Sequence, residues 1–337
     1  MVVFAHMSLD FFAIGDIVTE PFIRLQDARV NCTIDDEACE ICMRWGDKIP
    51  YEYAVHMPAV GNASNAAVAA ARLGLSSALR AYVGDDAHGK ECLEVLQKEG
   101  VDTTYMVTEA GKQTNYHYVL WFESERTILV KHEEYNYTAP EFTEGPKWIY
   151  CSSLAANSLP YHHALVKLLE AHPETKLAFQ PGTFQMKIGC EALKDIYERS
   201  DIFFCNKEEA ERILELPAGQ KISELLEGMR ALGPKIVVIT DGRNGAYAFD
   251  GARKMVVPMY PDDRQPFERT GAGDAFASSV TAALALGKPL EEALLWGPIN
   301  SMSVVQDVGA QRGLLTREAL DQYLKDAPDT YRVTDLV

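Results

Sequence analysis

Thr270-Gly271-Ala272-Gly273-Asp274-Ala275-Phe276 is the stretch on which the fold turns. Its two glycines let backbone N–H groups approach an anion closely, and the helix expected over 275–286 adds partial positive charge at its N-terminus. A carboxylate fixed there, Asp274, can accept a proton from an alcohol. The amides of Gly271, Ala272 and Gly273 can meanwhile steady the charge on a transferring phosphoryl group. The plainer reading is a tight turn with an acid in the first turn of a helix. A dinucleotide fingerprint is excluded because Phe276 stands where its last glycine is needed. The stretch from Gly84 to Lys90 imitates a Walker A loop until Glu91 takes the Ser/Thr position, where an acid would repel phosphate.

Upstream of this loop, short apolar runs alternate with helical stretches. Strands are expected at 11–15, 78–83, 148–151, 176–179, 202–205, 236–240 and 246–250. Helices are expected at 65–73, 89–99, 160–171, 191–199 and 207–214, and beyond the loop at 290–296 and 299–305. Such alternation predicts an α/β fold with a mainly parallel sheet and helices on both faces. Two segments break the rhythm, 17–57 and 113–137, the second reading as a hairpin; together they predict a small β-sheet lid. The core is then 8–16, 58–112 and 138–330. An exposed lid edge would suit pairing of two lids in a homodimer.

Three further motifs sit at the carboxyl ends of expected strands or open a helix. Asn206 and Glu209 follow one strand, where Asn206 can touch phosphate and Glu209 can hold magnesium through water; the bland reading is a capping box. Thr240, Gly242 and Gly245 form a turn after another strand. Gly61, Asn62 and Asn65 open the Ala-rich helix and bring two amides to a site.

In combination these residues resemble the ribokinase, or PfkB, family of carbohydrate kinases. Gly61, Asn62 and Asn65 resemble its Gly-[Gly/Asn]-x-x-x-Asn stretch with one residue fewer before the last Asn, and Asn206 and Glu209 match its Asn-x-x-Glu. Thr240, Gly242 and Gly245 match its Thr-x-Gly-x-x-Gly turn, and 271–274 its closing Gly-Ala-Gly-Asp. The correspondence runs from about Phe11 to about Leu315. The resemblance implies a three-layer ribokinase-like core with a β-lid that binds ATP and magnesium. Asp274 would then deprotonate a substrate CH2OH for attack on the γ-phosphate. It implies substrate contacts at Asp16, Glu20, Gly61, Asn62 and Asn65, and an adenine contact at Asn300. The chain departs from the pattern at Glu268-Arg269, where relatives carry Asp-Thr, and at Gln180, where Asn or Asp is common. The first departure puts a monovalent-cation requirement in question, since Arg269 can supply the charge itself.

The expected acceptor is a small sugar, with a nucleoside as the alternative. Tyr116, Tyr118, Trp121 and Phe122 on the lid hairpin could stack on a base, although alternating aromatics there also suit packing. A third reading is a regulatory nucleotide-binding protein that does no chemistry. The formal charge of −17, from 49 acidic and 32 basic residues, excludes nucleic acid as the main partner. No apolar run approaches the roughly 18 residues of a membrane span. The first residues are too few for a signal peptide and lack its basic flank, and Met7 stands as an alternative start beside Met1. Seven cysteines, an odd number, suggest a reducing cytoplasm. Cys39 and Cys42 are expected on one face of a helix running from 35 to 46, as packing thiols in preference to a zinc site with Cys32 and His56.

Overall fold

The computed structural model describes residues 9–32, 39–123, 125–262 and 264–336. Met7 and the acidic run 35–37 therefore lie outside the described residues.

The short apolar runs assemble a nine-stranded sheet. Its order is Thr334–Asp335, Lys254–Val257, Ala246–Phe249, Ile236–Thr240, Ile202–Asn206, Lys176–Phe179, Trp148–Cys151, Phe11–Ile14 and Ser77–Arg80. The six strands from Ile236–Thr240 to Ser77–Arg80 are parallel, and the other three antiparallel. Alternation along Phe11–Ile14 shows why both faces are covered: Phe11 and Ala13 join one apolar cluster, Phe12 and Ile14 the other. The first face carries the helices Asn62–Arg72, Ala272–Ala285 and Leu290–Val304, whose alanines let backbones pack closely. The second carries Leu159–Ala171, Lys194–Arg199 and Ile222–Ala231. This is an α/β ribokinase-like fold.

A separate four-stranded sheet, ordered Glu125–Leu129, Tyr118–Phe122, Val18–Leu25 and Tyr51–Val60, forms the small lid. Its inner side packs Phe22, Val60, Val119 and Trp121 against Val308. Tyr51–Val60 runs without a break into the helix beginning at Asn62.

Several expectations need correction. Cys39–Cys42 is a strand paired antiparallel with Arg29–Cys32, and Cys39 is disulfide-bonded, so the thiol-bearing helix does not form. Pairing to a neighbouring strand overrides weak local capping signals. The two helices expected at 290–296 and 299–305 are one, Leu290–Val304, with Pro298 inside it. Proline costs that helix a donor, but Trp296, Ile299 and Val304 on either side are buried in the core. The expected strand 78–83 divides into Ser77–Arg80 and Tyr82–Gly84, the latter paired with Val107–Glu109. Helix Arg317–Asp326 and strand Lys254–Val257 were not foreseen. No helix among the described residues is long and apolar enough to cross a membrane.

Candidate active site

Asp274 sits in the first turn of Ala272–Ala285, at the floor of a cleft of about 700 Å³ between the strand ends and the lid. Three side-chain amides hold its carboxylate. Asn62 Nδ2 donates to Oδ1 at 2.7 Å, Asn65 Nδ2 to Oδ2 at 2.8 Å, and Gln180 Nε2 to Oδ1 at 3.3 Å. Burial pushes the Asp274 carboxyl above the usual carboxylate range; the three amides pull the other way and the charge of Glu20 adds to the rise. The result is an ionisable oxygen pair with oriented donors and little water, the setting in which a carboxylate takes up a proton readily.

Those amides are themselves oriented. Gln311 Nε2 donates to Asn65 Oδ1 at 3.0 Å and to the Ala59 carbonyl at 2.7 Å. The Tyr150 hydroxyl donates to Gln180 Oε1. Neither Gln311 nor Tyr150 was singled out in the sequence; both act across long separations that no local pattern signals.

The loop before Asp274 is fixed by one left-handed residue. Gly271 has φ of 80°, and a Cβ there would stand 2.3 Å from Ala310 Cβ and 2.5 Å from Ala310 Cα. Only glycine meets both demands. Glu268 is fully buried and accepts from the Thr270 N–H at 2.8 Å, the Thr270 hydroxyl at 2.6 Å and the Gly309 N–H at 3.3 Å, bracing the loop from beneath. Arg269 points to the lid instead, donating to Glu125 at 2.9 Å.

Asn206 and Glu209 do form the reciprocal capping box, Asn206 Oδ1 accepting from the Glu209 N–H and Glu209 Oε2 from the Asn206 N–H, each at 2.8 Å. Both still line the cleft, and burial raises the Glu209 carboxyl above its ordinary value. Thr240 and Gly242 line the same wall. A second cavity of about 380 Å³ adjoins it, shared through Thr240, Gly242, Arg269 and Phe276 and extended by Gly245, Met259, Pro298, Ser301 and Met302.

Two expected ligand residues are placed otherwise. Asn300 is fully buried, donating to Ser279 Oγ at 2.8 Å and accepting from the Leu315 N–H at 2.9 Å; its neighbours Ser301 and Met302 face the second cavity instead. Asp16 is already engaged by the Tyr137 hydroxyl at 2.8 Å and by His132 Nε2 at 2.9 Å. Glu20 does line the cleft, beside Gly61, Asn62 and Asn65, and is held by His117 Nδ1 at 3.2 Å. The second ring nitrogens of these histidines, His117 Nε2 and His132 Nδ1, are buried and meet no partner among the described residues. Of the lid aromatics Trp121 packs, 1% exposed with Arg24 over its ring and Phe267 against its edge, while Tyr118 stands against Tyr116 and is exposed.

The family description "pfkB family carbohydrate kinase" matches residues 37–317. The 5-dehydro-2-deoxygluconokinase of Bacillus subtilis is 24% identical over 281 residues, covering 79% of this chain and 86% of its own length. The ribokinase of the same organism is 28% identical over 274 residues, covering 78% and 87%. The crystal structure of Methanocaldococcus jannaschii nucleoside kinase, an archaeal member of the ribokinase family, superposes with a TM-score of 0.75 at 19% identity, covering 95% of this chain and 99% of its own.

Proposed function

Because this chain belongs to the pfkB family of carbohydrate kinases, and is thus a phosphotransferase with an alcohol group as acceptor, we propose that it transfers the γ-phosphate of ATP to a CH2OH group of a small sugar. The observation that carries this reading is the Asp274 carboxylate, gripped by Asn62, Asn65 and Gln180 beside the Gly271–Gly273 turn. Asp274 takes the hydroxyl proton as the oxygen attacks phosphorus in line. The N–H groups of the turn, which a helix start leaves without intrahelical partners, receive the charge spreading over the phosphoryl oxygens.

Asn206, Glu209, Thr240, Gly242 and Gly245 serve the nucleotide, and the more apolar cavity at Met259, Pro298 and Met302 suits its base. The donors along this wall, Glu208, Glu209 and Thr240, are all oxygens, which fits a hard cation. Glu209 would hold magnesium through water, and the ion would offset phosphate charge.

At the acceptor end the lining is polar: Glu20, Asn62, Asn65 and Gln180 offer the paired donors and acceptors that vicinal hydroxyls need. Trp121 is buried, and neither it nor Tyr118 lines the cleft, which disfavours stacking of a nucleoside base on the lid. Measuring ADP release over a panel of sugars, sugar acids and nucleosides tests this. Sugars should turn over and nucleosides should not. Silence across the panel with ATP still bound would instead favour a regulatory nucleotide-binding protein.

Arg269 supports a reduced need for a monovalent cation, with its charge shared with Glu125 beside the anion loop. Potassium should activate the wild type weakly and Arg269→Ala more strongly. Strong activation of the wild type, undiminished in the variant, would overturn this. Tyr51, Tyr53 and Leu129 on the two edge strands of the lid are exposed, which supports homodimer formation through that sheet. Sedimentation should show twice the 37.4 kDa chain mass at micromolar concentration; a single-chain mass throughout would exclude the dimer.

A further inference from the structure

Outside the cleft, one group of side chains has the makings of a metal centre. His56 lies on the lid strand Tyr51–Val60, while His88 and Glu91 lie three residues apart on one face of the helix Ala87–Lys98. His56 Nε2 stands 2.9 Å from Glu91 Oε2, and His88 Nδ1 stands 3.9 Å from the same oxygen. All three donor atoms lie within 4.8 Å of one another.

The geometry points to a binding site for a divalent transition metal of the zinc class, held by His56, His88 and Glu91. Two imidazoles and one carboxylate form a donor set that zinc accepts, with a fourth position left for water. Tetrahedral coordination with bonds of about 2.0 Å puts ligand atoms roughly 3.3 Å apart, so closure asks for movements of roughly an ångström or more. The three side chains are each 40 to 43% exposed and can make that adjustment without disturbing the core. Other features prearrange the group. Asp86 caps the helix by accepting from the Gly89 N–H at 2.9 Å, which fixes the turn bearing His88. The Tyr116 ring packs 4.7 Å from the His88 ring. Magnesium, which prefers oxygen and water, is not the ion this set selects.

The ion would join a lid strand to a helix of the α/β core, four residues upstream of Val60. It binds the assembled structure and not the unfolded chain, so it adds stability by linkage.

Equilibrium dialysis of the nucleotide-free, full-length protein against zinc chloride tests the site, with cobalt chloride as a spectroscopic probe. One ion per chain is expected. His88→Ala and Glu91→Gln should each weaken binding by about tenfold or more, in line with the sensitivity of metal sites to their surroundings. Both variants should also lose the zinc-induced rise in melting temperature. His163→Ala is the control, since His163 pairs with Asp195 at 2.7 Å far along the chain and belongs to no such cluster among the described residues. Circular dichroism confirms that each variant is folded, and the two independent substitutions guard against a folding failure in one. Binding of equal strength in all four proteins would assign the ion elsewhere and overturn the proposal, as would no binding to the wild type.

Discussion

Asp274→Asn is expected to lower kcat by roughly a thousandfold or more, within or beyond the range that a general base contributes, while ATP affinity stays within a few-fold. Asparagine keeps the size and one carbonyl oxygen of the aspartate, so the cleft keeps its shape. It cannot accept the hydroxyl proton. Stopped-flow or coupled ADP assays beside nucleotide titration separate the two effects, and near-normal turnover would remove Asp274 from the mechanism. The pH profile gives an independent check. The base works only when ionised, and burial raises its pKa above the ordinary carboxylate value. Activity should therefore fall as pH drops through that raised pKa, an acid limb starting higher than a water-exposed aspartate would give. Asp274→Asn should erase that limb from whatever rate remains.

Gly271→Ala should cost about 10²- to 10³-fold in kcat, the scale of losing an anion-hole donor, together with a lower melting temperature. The new methyl would stand 2.3 Å from Ala310 Cβ with φ at 80°, so the loop must shift and carry its N–H groups with it. Gly273→Ala is the contrast for stability: its added Cβ meets nothing nearer than Gln180 Nε2 at 3.9 Å. That variant should melt no lower than the wild type. If Gly271→Ala is as active and stable as the parent, the turn is not the rigid anion site described.

Where the sequence was legible, the reason was local. Trp148–Cys151, Lys176–Phe179 and Ile236–Thr240 are short apolar runs with turn residues behind them, and each is a core strand at the expected bounds. The Gly271 turn and the Asn206 cap likewise carry their geometry in neighbouring residues. What stayed hidden depends on distant partners. Nothing near Asp16 announces that His132 and Tyr137, more than a hundred residues on, will occupy its oxygens. Nothing near Asn300 shows that Ser279 and the Leu315 amide will absorb it. The Cys39–Cys42 strand exists because Arg29–Cys32 lies beside it, and Pro298 stays helical because the core surrounds it.

The unbroken passage from Tyr51–Val60 into the helix at Asn62 gears the lid to the base. Gly61, with φ of 110° and no room for a Cβ beside the Asp16 carbonyl at 2.7 Å, is the pivot between them. On one side of that pivot is the lid strand Tyr51–Val60. On the other, one residue away, is the amide that grips Asp274 Oδ1. A tilt of that strand would therefore reach the carboxylate's own hydrogen bonds through a single link of backbone.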